Sequence, residues 1–218
     1  MSAESEWKHQ YTTSDNINHH RQQNLSISND FLIHAHYRPM DKFNDILKNA
    51  SLIVEHGCGT GEFVANLAHK LPHVRFVGMD FSQEAINLAV DYKNQLGNID
   101  YLVHDMKNTE FPYSGADICI VSNVIEHFDN WTTSVESLLK CYKHLLIIVP
   151  FEERIDQQKG DKPEDGAGGH FTSFNRNSFL RFQVLQDMVF FSLQGWGVSH
   201  AGECPLQYAV LLRGNVDV

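Results

Sequence analysis

The stretch Leu52-Ile53-Val54-Glu55-His56-Gly57-Cys58-Gly59-Thr60-Gly61 decides how the rest of the chain is read. A short apolar run, Ser51–His56, stops at glycines set two residues apart. An apolar run of that length, bounded by breakers, predicts a buried strand. Phe63, Leu67 and Leu71 then mark one face of a helix, which Pro72 ends. Glycines at such a strand-to-helix turn permit a tight bend and let backbone approach a ligand closely. The spacing is G-x-G-x-G, with Glu62 where a dinucleotide fingerprint carries its last glycine. No Gly-Lys-Ser/Thr follows, so the loop is not a phosphate-binding P-loop. Taken alone, it also fits a purely structural turn.

Working outward, the same alternation continues. Val74–Asp80 predicts a second strand, and Ser82 caps a helix bearing Ile86, Ala89 and Leu96 that Gly97 stops. Ile99–His104 and Ala116–Ser122 predict the third and fourth strands. Trp131, Val135, Leu138 and Tyr142 line a helix, with Lys140, Lys143 and His144 at its end, where cations suit the macrodipole. Leu145–Val149 is a fifth strand. Strands alternating with amphipathic helices imply an α/β fold, a doubly wound and mostly parallel sheet with helices on both faces. Ligands in such sheets sit at the C-terminal ends of the strands, near the switch in strand order.

The flanks read differently. Residues 152–170 are polar and rich in breakers, and predict a long loop of the kind that often binds or covers a ligand. A helix near Asn175–Phe182 and strands at Met188–Leu193 and Gln207–Leu212 follow. At the other end, residues 1–28 read as a polar arm, of which Trp7 and Tyr11 would dock a part. Ser28 or Asn29 caps a short helix over Asp30–Tyr37, and Met40, Phe43, Ile46 and Leu47 recur at helical spacing. The expected division is an N-terminal arm with lid helices over residues 1–50 and a single domain over 51–218.

Composition narrows the partners. The chain has 218 residues, 42% apolar and 11% aromatic, enough for one well-buried core. Seventeen basic against 27 acidic residues leave a net charge of −10. That argues against nucleic acid, whose backbone needs a positive footprint, and against an anionic membrane surface. The N-terminus shows neither a basic nor an apolar leader segment, and no apolar run approaches a membrane span. Cys58, Cys119, Cys141 and Cys204 form no C-x-x-C motif, which with the missing leader predicts a reduced, cytoplasmic chain. Thirteen histidines raise the question of a metal, but no H-x-x-x-H pair or H-E-x-x-H appears, so no metal centre is expected. His19-His20, in the polar arm, reads as solvated.

Four successive strand ends carry polar or acidic groups. The second ends in Gly78-Met79-Asp80, where a carboxylate can accept from both hydroxyls of a ribose. The third ends in His104-Asp105-Met106, an acid beside an apolar side chain, suited to an adenine amino group and ring. The fourth runs Ser122-Asn123-Val124-Ile125-Glu126-His127-Phe128.

With these motifs in place (VEHGCGTG, VGMD, HDM and SNVIEHF) the chain resembles the class I S-adenosylmethionine-dependent methyltransferases over about residues 50–150. The resemblance implies a Rossmann-like, seven-stranded sheet whose last pair forms a hairpin with one antiparallel strand. It implies S-adenosyl-L-methionine as cofactor and S-adenosyl-L-homocysteine as product. The glycine loop, here Glu55, Gly57, Gly59 and Gly61, would contact the methionine moiety. Asp80 would hold the ribose, Phe81, Asp105 and Met106 the adenine, and Asn123 the methionine end. A sulfonium cation without phosphates suits acidic residues better than a pyrophosphate would.

For the acceptor, the resemblance points to the branch acting on sugars, quinones and natural products. The flanks, residues 1–50 and 151–218, leave room for a lid and a loop but not for a recognition domain, which favours a small-molecule acceptor methylated on oxygen or nitrogen. No Asn/Asp-Pro-Pro-Tyr/Phe stretch follows the fourth strand, unlike amino-methylating enzymes of nucleic-acid bases. His127, and His170 in Gly168-Gly169-His170-Phe171, are the candidate catalytic bases. The alternative for both is structural, His127 orienting a helix start and His170 pinning a loop. Glu126 reads as a helix-start carboxylate. Phe151, Phe171, Phe174, Phe179 and Trp196 line an acceptor pocket or belong to the core. A peptide or protein methyltransferase, a silent cofactor-binding subunit and a nicotinamide oxidoreductase remain as alternatives, and the oligomeric state is open.

Overall fold

Why apolar residues run unbroken along the central strands becomes clear from how the sheet is covered. The computed structural model describes residues 14–37, 40–93, 96–151, 170, 172–192 and 206–216. The strands are β1 (Leu52–His56), β2 (Arg75–Asp80), β3 (Ile99–Val103), β4 (Ile118–Ser122), β5 (His144–Pro150), β6 (Val184–Phe191) and β7 (Leu206–Arg213). They form one seven-stranded sheet in the order β3-β2-β1-β4-β5-β7-β6. β1 to β5 pair in parallel, and β7 lies antiparallel to both β5 and β6. This is the doubly wound sheet with the C-terminal hairpin that the sequence led us to expect. The strand order reverses between β1 and β4, so the rim above these two strands is where a ligand belongs.

The helices are α1 (Ser14–Tyr37), α2 (Asp41–Asn49), α3 (Glu62–Lys70), α4 (Gln83–Tyr92) and α5 (Trp131–Leu139). Alternate residues of each strand point to opposite faces, so neighbours such as Ile53 and Val54, or Phe76 and Val77, enter two different cores. One core joins α1, α2 and α3 to the sheet through Phe31, Phe43, Phe63, Phe76 and Phe190. Phe31 meets Phe43 edge-on at 5.2 Å between ring centroids. The other core packs Val135 and Leu138 of α5, with Phe174 and Phe179, over Val121, Ile147 and Tyr208. Both faces being covered, the central strands do not need the polar-apolar alternation of a half-exposed sheet.

Several sequence expectations change. The helix expected over Asp30–Tyr37 begins much earlier, at Ser14, and half of the supposed polar arm is helical. Its buried face includes His20, Gln23 and Ser28, so His20 is not solvated. Asn66 on α3 donates to Ser28 Oγ (2.5 Å) and Asn29 Oδ1 (3.0 Å), which gives the buried Ser28 a polar partner. α5 ends at Leu139, before Tyr142, and His144 already opens β5. The helix expected near Asn175–Phe182 is one short 3₁₀ turn, Arg176–Phe179, capped by Asn175. Phe174 and Phe179 are core residues, their rings stacked at 5.5 Å. β6 starts at Val184 rather than Met188. The loop expected at 152–170 lies, except for His170, outside the described residues, as do Trp7, Tyr11, Phe171, Trp196 and Cys204. Cys58 and Cys119 are buried free thiols and Cys141 is free and half-buried. No described helix is long and apolar enough to cross a membrane.

Candidate active site

The glycine loop turns because its backbone goes where only glycine goes cheaply. Gly57, Gly59 and Gly61 have φ of 72°, 54° and 84°. At Gly61 a side chain is also excluded by space, since a Cβ would lie 2.5 Å from Tyr101 Oη and 2.9 Å from Ala89 Cβ. Tyr101, on β3, donates its hydroxyl proton to Gly61 O (3.2 Å) and so braces the loop from below. Its role was not legible in the sequence, although Gly78 hints at it, because a Cβ there would meet the Tyr101 ring at 2.6 Å. Behind the loop, Thr60 donates to Glu62 Oε2 (2.6 Å), and Arg21 of α1 pairs with Glu62 Oε1 at 3.2 Å. Burial raises the Glu62 carboxyl, while Thr60 and Arg21 pull it back.

Asp80 is the hinge of the rim. Its Oδ2 accepts from the Gly59 amide and its Oδ1 from the Ser82 amide, both at 2.9 Å. The carboxylate thereby ties the end of β2 to the glycine loop and the start of α4. Burial raises its pKa, the Ser82 and Gly59 amides lower it, and Asp105 adds a smaller rise. Ser82 caps α4 by accepting from the Ala85 amide (3.2 Å), a contact worth about 1 kcal/mol. Phe81 is half-buried beside it. Across the rim, Met106 is buried and Asp105 exposed, with Asp105 Oδ1 accepting from the Lys107 amide (2.9 Å).

Two buried oxygens at this rim stand out. Glu55, on β1, is 2% exposed, and its Oε2 has no hydrogen-bond partner among the described residues. Burial pushes its carboxyl well above the usual carboxylate range, and Glu62 and Asp80 add to the rise. Asn123, at the end of β4, adopts φ of 52°, and its Oδ1 is likewise buried without a donor. Leaving such atoms unmade is expensive unless a ligand completes them.

On the far side of Asn123 the chain makes a 3₁₀ turn, Ile125–His127. Glu126 is fully buried there, and His127 and His170 are half-buried. The two imidazole rings meet edge-on at 4.7 Å between centroids. One potential ligand atom from each of Glu126, His127 and His170 lies within 4.8 Å of the others. The fold thus unites both candidate bases and adds Glu126, which the sequence reading set aside as a helix-start residue. The expectation of no metal centre rested on spacing along the chain, which cannot register a group assembled from two distant segments. His127 also lines a cleft of about 440 Å³, shared with Met106, Lys107, Phe128, Asn130 and Ser134.

Residues 53–145 match the family model of a methyltransferase domain. The stretch covers the glycine loop, Asp80, Asp105, Asn123 and the 3₁₀ turn. Its fold is the one found in a SAM-dependent methyltransferase. Among curated relatives, the tRNA (guanine-N(7)-)-methyltransferase of Chloroflexus aggregans is 35% identical over 83 residues. That match spans 37% of this chain and only 36% of the relative's length. Among solved structures, a SAM-dependent methyltransferase of Methanosarcina mazei superposes with a TM-score of 0.61 at 16% identity, covering 83% of this chain and 99% of that one. The mitomycin 7-O-methyltransferase MmcR superposes with a TM-score of 0.59 at 14% identity, covering 89% and 54%. At these identities the superpositions speak for the fold.

The residues present suit the cofactor. A buried carboxylate oxygen on Glu55, without a partner among the described residues, is complemented by a cationic ligand end, and Asp80 by ribose hydroxyls. Nothing at the glycine loop supplies the lysine that a phosphate chain would require.

Proposed function

We propose that this chain is an S-adenosylmethionine-dependent methyltransferase that acts on a small-molecule acceptor, at oxygen or nitrogen. In this reading Glu55, Gly57, Gly59, Gly61 and Asn123 hold the methionine end. Asp80 holds the ribose, and Phe81, Asp105 and Met106 the adenine. When bound, the cofactor supplies a methyl group on a sulfonium, already activated for in-line displacement. The domain's own residues then have three tasks: to fix the methyl axis, to exclude water and to deal with the acceptor's proton. His127 and His170 are assigned the last task, as base or as acceptor contact. The observation that carries the reading is their convergence, at 4.7 Å, just past the end of β4.

A second reading has one specific observation behind it, the similarity of part of the domain to tRNA (guanine-N(7)-)-methyltransferases. Net charge −10 weighs against it, because RNA binding draws much of its affinity from neutralised phosphates. The test is transfer of labelled methyl from S-adenosylmethionine into fractions of a cell extract. Label in the low-mass metabolite fraction is expected. Label confined to tRNA replaces our reading with the second one, and label confined to polypeptide defeats both.

A further inference from the structure

We propose that Glu126, His127 and His170 form a binding site for one divalent first-row transition-metal cation, which orients and activates an acceptor oxygen. The proposal rests on the methyltransferase reading and deepens it, by making the acceptor atom an oxygen rather than a nitrogen.

The donor set is the first argument. Two imidazole nitrogens and one carboxylate oxygen suit zinc and its neighbours, and are a poor match for calcium or magnesium, which prefer all-oxygen sites. Three protein ligands leave at least one coordination position open, the arrangement of catalytic rather than structural sites. Geometry is the second. Metal–ligand bonds of about 2.0–2.2 Å place neighbouring donors about 3–4 Å apart. Here all three donors fall within 4.8 Å of one another, so small rotations about χ1 and χ2 close the shell. Burial is the third. Glu126 is fully removed from solvent, in the middle of the turn that presents His127 to the cleft. Two neutral imidazoles and a carboxylate around a dication leave a net charge of +1, which favours an acceptor oxygen as it loses its proton. Position is the fourth. Asn123, whose Oδ1 has no donor among the described residues, begins the segment that ends in His127, so the trio adjoins the end of the rim assigned to the methionine moiety.

The chemistry balances without redox change. The metal draws electron density from the acceptor hydroxyl, whose O–H bond breaks, and the proton passes to water. The oxygen lone pair forms the new C–O bond, the C–S bond breaks, and sulfur keeps that electron pair in neutral S-adenosylhomocysteine. As metal ligands, His127 and His170 act through the cation and not as free bases, which separates this proposal from the simpler one.

The test uses the full chain, stripped with a chelator and then titrated with Co²⁺, followed by visible absorption and calorimetry. One equivalent is expected to bind with ligand-field bands of an N,O site, and Zn²⁺ should displace it. His170→Ala, His127→Ala and Glu126→Gln should each weaken binding by about 100-fold or more. His73→Ala, at an exposed histidine elsewhere, should leave it unchanged. S-adenosylhomocysteine affinity serves as the folding control for every variant. Should buried Glu126→Gln fail it, the two histidine variants decide. No bound Co²⁺, Zn²⁺ or Mn²⁺ in the wild type overturns the proposal, as does equal binding in wild type and variants. Loss of S-adenosylhomocysteine binding in the wild type instead defeats the methyltransferase reading and leaves the metal result standing by itself.

Discussion

The two halves of the rim are built by different means. The half around Glu55, Gly59 and Asp80 comes from consecutive strands and turns, and its key bonds run from side chain to backbone: Gly59 and Ser82 amides to one carboxylate. The half around Glu126, His127 and His170 is assembled from a 3₁₀ turn and a remote segment, and depends on side chains meeting side chains. Local construction makes the first half rigid and readable. Remote construction leaves the second half free to vary with the acceptor, which is where enzymes sharing a fold come to differ.

The sharpest way to break this comparison is to cut the first half alone. Asp80→Ala removes two charge-assisted acceptors together with the proposed grip on the ribose. We expect S-adenosylhomocysteine affinity to fall about a thousandfold, ~4 kcal/mol, by calorimetry. His170→Ala should leave that affinity within about twofold while lowering turnover. If both variants lose the ligand equally, the halves are not separable and the comparison fails.

Next in size is the loop itself. Gly61→Ala combines a φ of 84° with a Cβ only 2.9 Å from Ala89 Cβ. Strain of about 1–2 kcal/mol and overpacking of similar size add to a loss of about 3 kcal/mol, measurable in urea unfolding. Tyr101→Phe, Gly61→Ala then tests the bracing role, because removing the hydroxyl should relieve part of the clash. A smaller effect is expected from α1. Arg21→Ala leaves the carboxylate of Glu62 buried without its ion pair. Since Arg21 is itself 29% exposed, solvent screens the pair, and about 1–2 kcal/mol is a reasonable loss.

What was legible follows the same division. Strand order, glycine loop and Asp80 are written in periodicities and turns a few residues long, and periodicity is what a single sequence carries best. The first half of α1 is hard to read because much of what it buries there is polar. His20, Gln23 and Ser28 look like a solvated arm until α3 packs against them, with Asn66 bonded to Ser28 and Glu62 paired with Arg21. Tyr142 continued the helical spacing of Val135 and Leu138, yet it lies beyond α5, with its hydroxyl at Pro112 O (3.1 Å). His127 and His170 could be named one at a time. That Glu126 joins them is a fact about tertiary structure, and no local pattern encodes it.

The smallest effect is also the most diagnostic of how the first half is held. His56, next to the glycine loop, is buried against His104, Phe111 and Tyr142. Tyr142 gives its one proton to Pro112 O, so at 2.9 Å it accepts from His56 Nε2–H, which fixes the neutral tautomer. Burial, reinforced by His104, lowers the His56 pKa from 6.5 to about 3. The unfolded chain then binds a proton below about pH 6.5 that the folded chain refuses until about pH 3. Stability contributed by neutral His56 is therefore complete above pH 6.5 and is lost as pH falls through that window. Between pH 7.5 and 5.5 the loss is about 1.4 kcal/mol. Glu55 and Asp80, whose folded pKa values are raised, act with the opposite sign, so wild type alone does not isolate the histidine. The difference between wild type and His56→Phe does, since the carboxylates cancel. Urea unfolding at the two pH values should show wild type losing about 1.4 kcal/mol relative to the variant on acidification. A constant difference would mean that His56 takes up its proton in the folded state, and that the β1 end of the rim is wetter than its burial implies.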